Sequence, residues 1–168
     1  LNHAFEVEER LRNLLVDLGL QEVVTHRQTS PEREARALPL NLPAAEMPYV
    51  RLANPIAADR IVMRRSLLAS VMEILERNAR LSPRLAFFEV GPVFLPRPDT
   101  ALPAEPHHLA VVLSGKRLET NWDRPIPHNY DFFDLKGILV EALDGLHVRD
   151  VQFIPAEHPS FHPGKCAQ

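Results

Sequence analysis

Proline limits this chain more than any other feature: 16 of its 168 residues are proline, about twice the usual share of roughly 5%. Each one fixes φ, removes a backbone donor and is poorly tolerated inside a helix. Many short elements joined by stiff turns are therefore expected, not a helical bundle. Apolar residues make up 45% and charged residues 24% of the chain, which suits one domain with a real core and argues against extended disorder. A single cysteine, Cys166, excludes an intramolecular disulfide framework and suits a reducing compartment. No apolar run reaches the ~20 residues of a membrane span, and no signal-peptide pattern opens the chain. The net charge of -3 argues against a grip on nucleic acid through the overall field alone. We expect one domain over residues 1–168, a fragment of something longer, in the cytoplasm.

Three amphipathic helices are expected. Phe5, Leu11, Leu14, Leu15 and Leu18 recur at helical spacing, with Glu6–Arg10 and Glu8–Arg12 pairs opposite and Gly19 at the C-terminal cap. A second helix runs from about Ser66 to Arg80, its polar line being Ser66, Ser70, Glu73, Arg77 and Arg80. The rest of that helix is mostly apolar, so cover on more than one side is expected. A third starts near Asp131 or Asp134, buries Leu135, Ile138, Leu139, Ala142 and Leu143, and ends at Gly145. Strand signals fall at 22–28, 49–53, 85–95, 109–113 and 148–154. The proline-rich stretch from Pro96 to Pro106 connects two of them. No glycine-rich turn joins a strand to a helix. The pattern predicts an α+β domain, a mainly antiparallel sheet flanked by helices.

Few residues look like catalytic machinery. His158 and His162 have the spacing of a helical metal pair, but Pro159 and Pro163 would break that helix. Cys166 lies near both histidines in sequence, which is not the spatial pairing a thiolate–imidazole couple needs. No metal-ligating, catalytic or cofactor-binding set is assigned. Glu89, inside Phe87-Phe88-Glu89-Val90-Gly91, is a candidate structural carboxylate. Burial obliges it to be paired, hydrogen-bonded or neutral, so it is either an active-site acid or the partner of a nearby arginine. Six arginines lie between Arg60 and Arg84, forming either a solvated helix face or a docking patch for phosphate or an acidic partner.

Several segments together carry a resemblance. They are Asn54-Pro55-Ile56, Met63-Arg64-Arg65-Ser66-Leu67-Leu68, and Phe87-Phe88-Glu89-Val90-Gly91-Pro92-Val93-Phe94. Asn121-Trp122, Asp131-Phe132-Phe133-Asp134-Leu135-Lys136-Gly137 and His162-Pro163-Gly164-Lys165 follow. In this order and spacing they resemble the β subunit of bacterial phenylalanyl-tRNA synthetase, in its catalytic-like module. The resemblance covers essentially the whole chain and implies a class II aminoacyl-tRNA synthetase-like fold. It also implies a module that is itself inert, paired with an α subunit in an (αβ)2 assembly that charges tRNA(Phe). ATP and Mg2+ then belong to the whole enzyme, with no cofactor in this segment. Active class II domains carry Phe-Arg-x-Glu in their second motif; the aligned positions here are Phe94-Leu95-Pro96-Arg97. Leu95 has no donor for a phosphate, and Arg97 reverses the carboxylate's charge. The first helix resembles the motif that builds the dimer interface. Leu11, Leu14, Leu15 and Leu18 are therefore candidates for subunit contact, or else cover only their own sheet. The alternative is an active class II-like ATP-dependent ligase using Arg64, Arg65 and Glu89. An RNA-binding module has only the basic stripe behind it.

Overall fold

A computed structural model describes residues 3–37, 48–98, 100–118, 122–123, 128–158, 160–162 and 164–168. Its elements, in chain order, are α1 (His3–Asp17), β1 (Gln21–Glu22), β2 (Gln28–Thr29), α2 (Pro31–Ala35) and β3 (Val62–Met63). They continue with α3 (Leu68–Asn78), β4 (Arg84–Pro92), β5 (His107–Gly115) and α4 (Phe132–Gly145). The chain forms two compact units, the first being Leu1–Val23, Val71–Val90 and Ala110–Gln152. The second is Val24–Ser70, Gly91–Leu109 and Phe153–Gln168.

In the first unit, β1 lies parallel to β4, with Gln21 opposite Phe87 and Glu22 opposite Phe88. β5 takes the other side of β4. The antiparallel Leu95–Ala104 bridge and the Lys116 N–H to Pro83 carbonyl bond keep one register, so β4 and β5 run antiparallel. A parallel pair needs a long crossover, here the whole stretch between residues 22 and 84. β4 is buried from Leu85 to Pro92, as its apolar character on both faces predicts. Leu15, Leu20, Val71, Phe88, Val112 and Ala142 complete this core.

α1 ends as its sequence predicts. Gly19 has φ 84, the Gly19 N–H donates to Val16 and the Leu20 N–H to Leu15, which is the Schellman arrangement. Buried Leu15 and Leu20 supply its apolar contact. α4 begins with a full capping box. Asp131 accepts from the Phe133 and Asp134 N–H groups, and Asp134 reaches back to the Asp131 N–H. Both aspartates named from sequence are thus used, one as the cap and one as its reciprocal partner. α1 packs on β1 and on α4. At the α4 contact a Cβ on Gly145 would lie 2.7 Å from Leu14 Cδ1.

In the second unit β2 and β3 pair antiparallel, Gln28 opposite Met63 and Thr29 opposite Val62. Val62, Leu67, Ala69, Val93 and Phe94 are buried. α2 was absent from the sequence expectation, although its start is marked there. Ser30 caps it through the Arg33 N–H, and Pro31 occupies the first turn, where its missing N–H costs nothing.

Several boundaries differ from expectation. The 22–28 strand is interrupted, because Val24 turns outward and is 84% exposed. The 49–53 strand is reduced to an Arg51–Val62 bridge. The 148–154 strand does not form: His147 and Asp150 both have φ 61, a left-handed conformation no pleated strand contains. Pairing starts only at Ile154, which exchanges backbone bonds with Gln168. α3 is shorter than 66–80, since Ser66 Oγ accepts the Leu68 N–H just before the helix. It is also less covered than expected, with Met72 exposed.

Candidate functional site

The neck of the β4–β5 hairpin holds Phe94-Leu95-Pro96-Arg97, the positions aligned from sequence with a class II second motif. In the second unit the Val93 N–H donates to Pro106, and Leu95 and Ala104 exchange both backbone bonds at 2.9 and 2.8 Å. Phe94 is buried, Leu95 half-buried and Arg97 exposed. The neck therefore presents a branched alkyl group, with a cation two residues further out. A triphosphate clamp needs a fixed guanidinium or ammonium backed by a carboxylate. Neither Leu95 nor Arg97 meets its half of that requirement.

Arg64 is unavailable as a substitute. It is 1% exposed, its Nε donates to the Pro92 carbonyl at 3.0 Å and its Nη1 to Thr25 Oγ1 at 2.8 Å. Its backbone ties β3 to the hairpin, the N–H donating to Arg27 and the carbonyl accepting from Phe94. A guanidinium fork spent on internal acceptors holds the scaffold and cannot reach a solvent-borne phosphate. Glu89, in the first unit, is 2% exposed and is not without an interaction partner.

A polar cluster that the sequence did not flag surrounds Glu34. Its side chain is buried, and Oε2 accepts the Arg65 N–H at 3.2 Å. Arg65 Nη1 donates to the Pro48 carbonyl, and its guanidinium lies 5.7 Å over the Tyr49 ring. Burial pushes the Glu34 carboxyl above its ordinary range. The Arg65 and Ser66 N–H groups, with the charges of Arg64 and Arg65, oppose the shift without cancelling it. Burial and the Glu34 charge likewise push the Tyr49 phenol up. A carboxyl with a raised folded pKa holds its proton more tightly folded than unfolded. Its contribution is therefore complete in acid and is lost as pH rises through the raised value. Wild type should lose stability relative to Glu34→Gln as pH rises above the ordinary carboxyl range of about 4, measured by urea unfolding. A pH-independent difference would contradict the assignment.

The four leucines named as interface candidates separate. Leu15 is buried in its own unit, Leu11 and Leu14 are half-buried, and Leu18 is exposed, as are Phe5, Val7 and Val16. On the same helix Arg12 binds Glu8, reaches Glu22 at 2.7 Å and donates to the Val90 carbonyl at 3.3 Å. One edge of α1 is thus locked to β1 and β4 while part of its apolar stripe stays uncovered. The expected Glu8–Arg12 pair forms; Arg10 instead meets His147.

The remaining candidates do not converge. His158 Nδ1 accepts the Ser160 N–H and its ring lies against Phe161, while His162 is exposed. Pro159 and Pro163, on which the metal argument turned, lie outside the described residues, as does Asn121. Cys166 is half-buried and its carbonyl accepts the Ala156 N–H. Among the described residues no three His, Cys, Asp or Glu side chains are grouped to hold a metal. A half-open groove of about 480 Å³ in the first unit is lined by Gly19, Gln21, Asn78, Ser82 and Arg84 among others. Arg84 is its only titratable group, and it donates to Arg117 and stacks on Tyr130. Its Ser82 hydroxyl donates to the Arg84 carbonyl at 2.7 Å, and the lining offers no carboxylate, imidazole or thiol.

The family model described as the phenylalanyl tRNA synthetase beta chain CLM domain matches residues 1–168. The chain belongs to this family. Curated phenylalanine–tRNA ligase beta subunits agree. That of Geobacter metallireducens is 35% identical over 162 residues, covering 95% of this chain and 20% of the relative. That of Syntrophotalea carbinolica is 38% identical over 165 residues, covering 97% and 20%. The CLM domain described here thus spans about a fifth of the relatives it matches. Solved structures show the fold alone. Pyrrolysyl tRNA synthetase PylSc of Desulfitobacterium hafniense has a TM-score of 0.64 at 18% identity, covering 90% of this chain and 48% of that one. A histidine–tRNA ligase subunit of Alicyclobacillus acidocaldarius has a TM-score of 0.61 at 18% identity, covering 89% and 39%. The CLM domain therefore has a class II synthetase fold, as the family resemblance implied.

Proposed function

We propose that this chain is a non-catalytic class II-like module of a phenylalanine–tRNA ligase β subunit, supporting assembly with an α subunit. The α subunit charges tRNA(Phe) with phenylalanine using ATP and Mg2+, in a cytoplasmic (αβ)2 enzyme. The 168 residues work as one module of the longer subunit and need bind neither ATP nor metal. The observation that carries this reading is the hairpin neck, where Leu95 stands in place of a phosphate-clamping arginine. The burial of Arg64 against Pro92 and Thr25 adds to it, because the alternative, active ligase needs that side chain free.

Assembly runs through α1. Leu15 fills its own core, whereas Leu11, Leu14 and Leu18 keep apolar surface for a second subunit. Charged substitutions at Leu11 and Leu18 place a carboxylate where that surface is dehydrated on docking. Leu11→Asp with Leu18→Asp should weaken α–β association at least about 100-fold, read by sedimentation of the complete enzyme. Association unchanged within about threefold would remove α1 from the interface.

A further inference from the structure

Four glycines of this chain have a visible structural reason, and Gly137 stands apart from them. Gly19, Gly115 and Gly164 have positive φ, and Gly145 lets Leu14 approach α4 from within the unit. Gly137 has neither reason. It sits inside α4, and a Cβ there would meet nothing within 4 Å. A glycine inside a helix is destabilising relative to alanine, so the bare module carries a defect that no described neighbour repays.

Two further features lie on the same helix face, although the Phe133 ring meets the Phe132 ring edge-on at a centroid distance of 5.6 Å. Phe133 and Val140 lie on one line with Gly137, at spacings of four and three residues. They are 74% and 43% exposed. Glu141 and Asp144 are exposed near the end of α4, and its last turn has no basic residue. The backbone dipole makes that end negative, so acids there are unfavourable and cations are attracted. An uncovered aromatic ring, an interior glycine and acids at the negative end each disfavour a helix standing alone in water. All three become favourable against a second helix that approaches closely at Gly137, covers the ring and brings cations to Glu141 and Asp144. Gly145 already does this on the inner side of α4, where it admits Leu14 of α1.

We propose that the Phe133–Gly137–Val140 face of α4 seats a basic amphipathic helix from elsewhere in the ligase. That helix carries an apolar line over Phe133 and Val140, and lysine or arginine toward Glu141 and Asp144. The proposal rests on the assembly reading only in placing the helix within the larger enzyme.

The test is hydroxyl-radical footprinting of the complete enzyme and of the full-length β subunit alone, with Gly137→Leu as the variant. The variant module stays folded, since the space beyond Gly137 is open. In wild-type enzyme Phe133 should be oxidised at least about tenfold more slowly than an open phenylalanine peptide, because a buried anchor is water-excluded. Gly137→Leu should restore the open rate. Protection in β alone assigns the helix to the β chain, and protection only with α present assigns it to α; both support the seat. Phe133 oxidised at the open rate in the complete enzyme, or protection unchanged in Gly137→Leu, overturns it. Failure of β to recover α would count against the assembly reading, leaving Phe133 protection in β to decide this one.

Discussion

Replacing Gly115 with alanine should destabilise the chain by about 3–5 kcal/mol. Gly115 ends β5 with φ 78, where an L side chain adds about 1–2 kcal/mol of strain. The larger effect is steric. The new Cβ would lie 2.0 Å from the Pro83 carbonyl oxygen and 2.9 Å from its carbon. Both are backbone atoms, so no rotamer relieves the clash. The same carbonyl accepts the Lys116 N–H, and Gly115's own carbonyl accepts the Tyr130 N–H. Moving either strand end therefore breaks the bonds that align β4 with β5. Gly164→Ala is the control. Its φ is 80, but a Cβ there meets nothing within 4 Å, so the expected loss is only the strain, about 1 kcal/mol. Urea unfolding of the two variants should separate them clearly. Equal losses would mean that the Pro83 contact yields without cost.

Arg64→Met should cost a similar amount, about 3–5 kcal/mol, because two charge-assisted bonds are lost and the Pro92 carbonyl is left buried without its donor. Pro92 is buried, Thr25 is half-buried, and methionine offers neither a donor. Arg64→Lys should recover little, since one ammonium cannot span the Pro92 carbonyl and Thr25 hydroxyl as the planar fork does. The urea midpoint should fall with an unchanged slope. This result also separates the two functions weighed for Arg64. A phosphate-binding arginine is held against its own solvation for the ligand's sake, so removing it costs activity and little stability. A loss below about 1 kcal/mol would favour the ligand role.

The sequence was most legible where one local rule decided the outcome. Gly19 and Asp131 mark a helix end and a helix start by chemistry that acts within a few residues. β4 was legible because a run apolar on both faces except at Glu89 has few other places to go. The failures share a cause. Val23, Val24 and Thr25 have strand propensity, yet Val24 faces solvent, because propensity does not say where pairing stops. The segment after α4 has β-branched residues, but left-handed His147 and Asp150 turn it aside. Nothing in residue type announces left-handed backbone at a histidine. At the site, the unusual hairpin neck was readable as Leu95 and Arg97, because each lacks a chemical group whatever its surroundings. That Arg64 is spent on Pro92 and Thr25 was not readable, since those partners are 28 and 39 residues away. Nor was the Glu34 cluster, whose partners Arg65 and Tyr49 lie 31 and about 15 residues away.

The account stands on a synthetase-shaped domain that takes no part in activating the amino acid. Phenylalanine-dependent ATP–pyrophosphate exchange by the complete enzyme, with Leu95→Ala and Arg97→Ala together in this chain, measures that directly. The predicted kcat/KM lies within about twofold of wild type, since removing groups that touch no substrate leaves the barrier unchanged. A fall of roughly 100-fold or more, the loss expected when a transition-state donor is removed, would place the nucleotide here and contradict the account.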